Sequence, residues 1–82
     1  MKVERAVKIM DIVLENGTPI LSYGMEIGVL HEDHKIMKRD GIIKLYEKVI
    51  TKKSKKTWKF IGEYFEVSLN DVLVRRFIMS TD

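Results

Sequence analysis

The sequence predicts an α+β fold, in which an N-terminal amphipathic helix packs on a small, mainly antiparallel sheet and a short helix lies near the C-terminus. Apolar residues first recur every three or four positions, and short segments rich in strand-forming residues follow. Glycines and polar turn residues separate those segments. With 82 residues, the chain suits a single domain, 1–82, that has one modest core.

The first predicted element is an amphipathic helix from Lys2 to Asn16. Its apolar residues form one stripe, and most of its charged residues lie opposite. Asn16 and Gly17 are residue types that close a helix through a left-handed turn. Pro19 then returns the chain to an extended conformation, because proline lacks an amide donor and restrains the residue before it.

Strands are predicted next, from Ile20 to Tyr23 and from Met25 to Leu30, with an interruption at Gly24. The polar segment HEDHKIMKRDG is predicted to be a loop that ends in a turn at its Asp-Gly pair. Residues 42–51 fit either a strand or a helix. The strand is favoured because TWKFI, further along, offers an alternating partner.

A hairpin is therefore predicted, with strands from Ile43 to Thr51 and from Thr57 to Ile61. Its tip is rich in lysine and carries Lys52, Lys53, Lys55 and Lys56. Gly62 and Glu63 are predicted to form a second turn, followed by a short strand, YFEV.

The C-terminal helix is predicted from the spacing of Ser68 and Asp71, which matches a capping box. Arg75 and Arg76 would lie near the end of this helix, where cations interact favourably with the helix dipole. The segment RFIMS would then follow as an edge strand.

The composition narrows the class of protein. The net charge of +3 favours anionic partners, and the lack of cysteine excludes disulfides and cysteine-based zinc sites. No apolar run approaches the ~18 residues that a membrane span needs, so a cytoplasmic protein is expected. A chain this small without disulfides is expected to gain stability as a homo-oligomer.

Motifs for catalysis are absent from the sequence. His31 and His34 are three positions apart and could share a metal on a helix, but they lie in a predicted loop with no third ligand. The glycines do not form a nucleotide-binding loop of the usual kind. We therefore expect no metal, no other cofactor and no enzymatic activity.

Two groups of side chains could bind an anion. The lysines of the predicted hairpin tip could follow the phosphates of a nucleic acid while Trp58 stacks on a base, although such lysines also protect strand edges and Trp58 and Phe60 could belong to the core. Arg75 and Arg76 could form a planar fork for a phosphate, or could serve only as a helix cap.

Segments at both ends of the chain are also similar to the sequence motifs of a known protein family. The opening VERAVKIMDIVLENGTPI is similar to F-x-E-A-L-K-x-L-x-E-G-K-x-V, with Ala6, Gly17 and Ile20 at corresponding places. The closing VSLNDVLVRRFIMS is similar to E-D-L-L-A-D-D-W-E-V, with Asp71 and Leu73 matching. In these motifs the chain resembles small phage and prophage proteins of the Thoeris anti-defence 2 type.

The chain also departs from that pattern. Phe77 stands where the family has its closing tryptophan, and Met25 stands where the family has a tryptophan after the first strand. The paired acids before the closing tryptophan are Arg75 and Arg76 here.

The resemblance implies a non-catalytic phage-type accessory protein that acts in the bacterial host cytosol. Such an oligomer would sequester a small anionic ligand, a cyclic ADP-ribose-like defence signal, at a subunit interface. The candidate contacts for this nucleotide-type ligand are Tyr23, Trp58, Arg75 and Arg76. The alternative is a basic module that binds nucleic acid or the transcription machinery through Lys52, Lys53, Lys55 and Lys56. A structural or assembly protein without a ligand is a third hypothesis.

Overall fold

The first helix forms where the apolar stripe predicts it. In the computed structural model, which describes residues 1–81, helix α1 spans Val3–Asn16. Its buried residues are Ala6, Met10 and Val13. The predicted left-handed closure is wrong, because Gly17 is extended with a φ of −79°. Glycine is needed there for space, since a Cβ atom would collide with the Val29 side chain and the Val13 carbonyl oxygen.

A six-stranded antiparallel sheet follows the helix, and its strand order is the same as the chain order. The strands are β1 Thr18–Ser22, β2 Met25–His31, β3 His34–Arg39, β4 Ile42–Ile50, β5 Lys56–Leu69 and β6 Val72–Met79. Antiparallel neighbours need only tight turns between them, so one helix and a meander account for the fold. The predicted α+β class is confirmed.

Left-handed residues form several of the turns between strands. Tyr23 and Gly24 have φ values of 51° and 77°, and Asp40 and Gly41 have the same two values. Positive φ at both central residues is the requirement of a type I′ hairpin turn. The predicted interruption at Gly24 and the predicted turn at Asp40 are therefore confirmed.

The segment predicted to be a polar loop contains strand β3. This strand pairs with β2 on one side and with β4 on the other. Ile36 at its centre is fully buried in the core. The prediction was wrong because β3 is mostly polar, with His34, Lys35, Lys38 and Arg39. Only Ile36 is buried, so the sequence shows no clear alternation of apolar and polar residues.

The lysine-rich hairpin is confirmed. The ambiguous residues 42–51 form strand β4 up to Ile50, which pairs with Lys56 at the start of β5. The tip carries the predicted lysines, and all of them are exposed: Lys52, Lys53, Lys55 and Lys56.

The second turn, predicted at Gly62 and Glu63, is wrong because β5 continues through both residues. The register between β4 and β5 shifts at Ile61, which is an extra residue and makes a β-bulge. A Cβ atom on Gly62 would lie 2.5 Å from the Ile78 carbonyl oxygen. Glycine therefore marks a close approach of neighbouring strands here and not a turn.

The short C-terminal helix is wrong as well. Asn70 and Asp71 have φ values of 49° and 63°, which form a hairpin turn between β5 and β6. Left-handed residues do not occur in succession within a right-handed helix, so the capping-box spacing of Ser68 and Asp71 is coincidental. The β-branched residues that follow pair across the sheet.

The helix covers one face of the sheet, and the core lies between them. The sheet contributes Val29, Ile36, Leu45, Ile61 and Tyr64 to this core. We call the opposite face of the sheet, which carries no helix, the open face. Because side chains alternate along each strand, the neighbours of these core residues on β3 and β4 point to the open face.

Candidate functional site

A cluster of lysines and aromatic residues lies on the open face at the centre of the sheet. This lysine–aromatic cluster consists of Lys35 from β3, Tyr46 and Lys48 from β4, and Trp58 and Phe60 from β5. The strand register pairs Lys35 with Tyr46, Tyr46 with Phe60, and Lys48 with Trp58. Directly opposed residues share a face, so the register by itself assembles the cluster.

The two ammonium groups of the cluster lie over ring faces. Lys35 Nζ is 4.6 Å from the ring centroid of Trp58 and 5.4 Å from that of Tyr46. Lys48 Nζ is 5.5 Å from the Trp58 centroid. The Tyr46 and Phe60 rings are 5.6 Å apart at an interplanar angle of 54°. All five side chains are half-buried, so their positions are set by mutual packing.

This arrangement combines cations with ring surfaces. A lysine over an aromatic ring gains about 0.5–1 kcal/mol at an exposed site, which is small enough for a ligand to compete for either partner. Phosphates would attract the ammonium groups away from the rings. A planar base could then stack on the ring face that an ammonium group has left. The cluster therefore has the chemistry to hold an anionic ligand that carries aromatic bases.

A cavity of about 530 Å³ lies beside the cluster and shares Tyr46 with it. Its other lining residues are Ile27, Met37, Lys38, Arg39, Ile42 and Lys44. Lys38 is paired with Glu26 at 3.6 Å, and Arg39 with its neighbour Asp40 at 3.8 Å. The lining thus combines apolar side chains with three cationic ones, and small-molecule sites are likewise mostly apolar with a few polar groups.

The lysine-rich tip lies at the opposite end of the cluster. Its backbone is ordered by hydrogen bonds, because the Ser54 amide donates to the Thr51 carbonyl and the Thr51 amide donates to the Lys55 carbonyl, both at 2.9 Å. Tip, cluster and cavity follow one another along β4. With 9 residues, β4 gives this strip a length of roughly 30 Å.

Arg75 and Arg76 lie on β6 and not at a helix end, so their side chains point to opposite faces. Arg75 lies on the helix-covered face, where its Nε donates a hydrogen bond of 2.6 Å to the Tyr64 hydroxyl. That hydroxyl donates in turn to Glu66 at 2.8 Å. The hydrogen bond to Tyr64 raises the pKa of Arg75, and Asp11 and Glu66 act in the same direction.

A single chain does not bring the four predicted ligand contacts together. Tyr23 is fully exposed at the turn between β1 and β2. Trp58 belongs to the lysine–aromatic cluster, whereas Arg76 pairs with Phe65, which is seven positions and roughly 23 Å further along β5. A shared site for these residues across a subunit interface stays a prediction.

The two histidines face each other across the turn between β2 and β3. His31 Nε2 is 3.9 Å from the Glu32 carboxylate, and His34 Nε2 is buried without a hydrogen-bond partner among the described residues. Within residues 1–81, no group of three or more histidine, cysteine or acidic side chains is arranged to hold a metal ion. No helix in that range is long and apolar enough to cross a membrane.

Trp58 was predicted from the sequence as a member of a binding site, whereas Lys35, Tyr46 and Lys48 were not. Tyr46 and Lys48 alternate along β4 with Leu45, Glu47 and Val49, so the favoured strand prediction already implied that they share a face with Lys44. Lys35 had no such signal, because its strand was predicted to be a loop.

Comparison with known proteins adds no assignment: no protein-family model, no curated protein and no solved structure matches this chain. The likeness to Thoeris anti-defence 2 proteins therefore stays an expectation based on the motifs at the two ends.

Proposed function

We propose that this protein is a non-catalytic binding module that holds single-stranded nucleic acid along its open face. The observation that carries the proposal is the position of Lys35 and Lys48 over the ring of Trp58. Proteins that bind single strands combine a basic track for the backbone with aromatic side chains on which bases stack. The lysine–aromatic cluster supplies both within one patch.

The form of the surface favours a single strand over a duplex. Stacking on Trp58 or Tyr46 requires a base whose face is free, and the bases of a duplex are already stacked on one another. The strip of roughly 30 Å along β4 could accommodate a few nucleotides, near the lower end of the ~4–16 that one OB-fold binds. The exposed lysines of the tip would extend the track for the backbone.

The first experiment measures binding of a labelled single-stranded oligonucleotide. Trp58→Ala should weaken binding about 5-fold to 150-fold, because stacking on one aromatic side chain contributes about 1–3 kcal/mol. Tyr23→Ala is the matched control, since Tyr23 is an exposed aromatic residue away from the cluster, and it should bind as the wild type does. Circular dichroism verifies that both variants are folded.

The intrinsic fluorescence of the protein gives a direct readout of the site. Trp58 is the only tryptophan of the chain, so its emission reports on the cluster alone. An oligonucleotide that stacks there should quench this emission in proportion to binding. An oligonucleotide that leaves Trp58 emission unchanged, or that shows no binding at low salt, would refute the proposal.

A second experiment tests the role of the tip. Replacing Lys52, Lys53, Lys55 and Lys56 by glutamine should reduce the salt dependence of binding, with the logarithmic slope falling by about 0.7 for each lost phosphate contact to a single strand. An unchanged slope would confine the site to the cluster.

A second candidate function is sequestration of a small nucleotide-derived signal of the cyclic ADP-ribose type. The cavity of about 530 Å³ beside Tyr46 supports it, because its volume lies within the ~300–1,000 Å³ of small-molecule sites and Lys44 contributes a cation. Lys44→Gln should then weaken the affinity for such a ligand, measured by calorimetry. The four substitutions at the tip should leave that affinity unchanged.

For both candidate functions we propose that the protein acts in the bacterial host cytosol. Neither function requires a catalytic group. Mass spectrometry of molecules that remain bound to protein purified from a bacterial host distinguishes them. Short nucleic-acid fragments would support the first candidate, and one discrete nucleotide-type mass would support the second.

A further inference from the structure

The hairpin formed by β5 and β6 extends beyond the rest of the sheet. The last β5 residue in this direction that pairs with β4 is Tyr64, opposite Ile43. Beyond it, β5 has only β6 as a neighbour. We call this extension, residues 65–76, the hairpin arm. None of its hydrophobic residues belongs to the core or packs against it.

One face of the hairpin arm is apolar. Cross-strand pairing places Leu69 opposite Val72, and Val67 opposite Val74. With the alternation along each strand, this register defines an apolar arm face. Its members are Phe65, Val67, Leu69, Val72 and Val74. The other face is mainly polar and carries Glu66, Ser68, Leu73 and Arg75.

The apolar arm face has no partner within the chain. Val67, Leu69 and Val72 are 36%, 54% and 60% exposed. An isolated two-stranded hairpin is at best marginally stable in water, and exposed apolar strands promote association. A surface that covers this face would stabilise the arm.

We propose that a second copy of this chain covers the apolar arm face, with the two arms packed face to face in antiparallel directions about a two-fold axis. The axis would pass near the central pair, Val67 and Val74. Such an isologous contact places the same apolar residues on both sides, so it creates no repulsion at its centre.

The charges at the two ends of the arm fit this arrangement. Asp71 lies at the tip, and Arg76 lies at the base on the same side as the apolar arm face. Among the described residues neither of them makes an ion pair within its own chain. Antiparallel packing brings the tip of each arm to the base of the other, so Asp71 of one copy meets Arg76 of the second copy, twice by symmetry. Two packed sheets are about 10 Å apart, a gap that long arginine side chains help to bridge.

The size of the surface sets the strength of the contact. The apolar arm face is roughly 17 Å long and 10 Å wide from the strand rise and spacing. The buried area then stays below about 1,200 Å² in total, which is the range of weak and transient complexes. We therefore expect a dimer whose population rises with protein concentration. This inference is independent of nucleotide binding.

Sedimentation velocity over a concentration series from micromolar to millimolar tests the dimer. The sedimentation coefficient of the wild type should rise with concentration. Val67→Glu should abolish that rise, because it places a charge from each copy at the centre of the contact. Ser68→Glu, the next residue on the opposite face of the arm, should leave the rise intact. A monomer at every concentration, or equal effects of the two glutamates, overturns the proposal.

A charge exchange identifies the partner as a second copy. Arg76→Asp should raise the dimer dissociation constant about tenfold, because two symmetric surface pairs are lost. The double variant Asp71→Lys, Arg76→Asp should restore dimerisation, since the exchanged charges again meet in opposite sign. Both residues are exposed, and circular dichroism verifies that Asp71→Lys, at a φ of 63°, leaves the fold intact. The test therefore remains valid if Val67→Glu disturbs the arm. A double variant that associates no better than Arg76→Asp overturns the antiparallel arrangement.

Discussion

The two faces of strand β4 show how one segment can serve two purposes. Leu45 points to the helix and is fully buried, whereas its neighbours Lys44 and Tyr46 point to the open face and border the cavity. The covered face is apolar and closed, so its residues determine the stability of the fold. The open face keeps cations over half-buried rings, so its residues are available to a ligand. Along β4, the residues of the core therefore alternate with those of the proposed binding surface.

The largest expected effect comes from the covered face. Leu45→Ala should lower the free energy of unfolding by about 2–5 kcal/mol, because it removes a buried side chain and leaves a cavity. Lys44→Ala, the adjacent exposed position, should change it by less than about 0.5 kcal/mol. Urea unfolding monitored by circular dichroism measures both values. Similar losses for the two variants would contradict the assignment of the faces.

A smaller effect is expected where a hydrogen-bond chain borders the covered face. Tyr64→Phe should lower the free energy of unfolding by about 0.5–1.5 kcal/mol, since it removes the hydroxyl that accepts from Arg75 and donates to Glu66. Tyr23→Phe removes a hydroxyl from a fully exposed ring and should have no measurable effect.

The same hydrogen bond predicts a lack of pH dependence near neutrality. The Tyr64 hydroxyl raises the pKa of Arg75, so the stabilisation is fully present below the ordinary arginine pKa and is lost only as the pH rises through the higher value of the folded state. The difference in stability between the wild type and Arg75→Gln should therefore be the same at about pH 5 and about pH 9. A difference that disappears between these values would contradict this cause.

The smallest effect on stability is expected on the open face. Lys35→Gln should cost about 0.5–1 kcal/mol, because its ammonium group lies over Trp58 and Tyr46 at the distances of cation–π pairs. The Trp58 emission maximum should shift in this variant. Lys59→Gln is the control, because Lys59 neighbours Trp58 in sequence but points to the opposite side of β5, and the emission should stay as in the wild type.

The sequence pattern predicted those parts of the fold whose signals are local. The stripe that contains Ala6, Met10 and Val13 repeats with the helical period, so helix α1 follows from it without further information. The Asp40–Gly41 turn was predicted because these residue types tolerate left-handed conformations. The lysine-rich tip was predicted because polar residues separate two alternating segments.

Other elements depended on partners that lie far away in sequence. Ile36 is the only fully buried residue of β3, and its burial requires the helix on one side and two neighbouring strands. Gly62 resembled a turn residue, but it permits a close approach to Ile78. Likewise, Ser68 and Asp71 matched a capping box by spacing alone, and the pairing of β5 with β6 determined their conformation.

The candidate site shows the same division. The sequence by itself determined the helix, the antiparallel type of the sheet and the basic hairpin tip, and it identified Trp58 as a candidate for stacking. Each of these depends on residue types within a few positions of one another. Tertiary structure determined the rest. The pairing of β3, β4 and β5 places Lys35, Tyr46 and Trp58 side by side, and β6 directs Arg75 and Arg76 to opposite faces. Register is a long-range property, and a shift of one residue would turn each of these side chains to the other face.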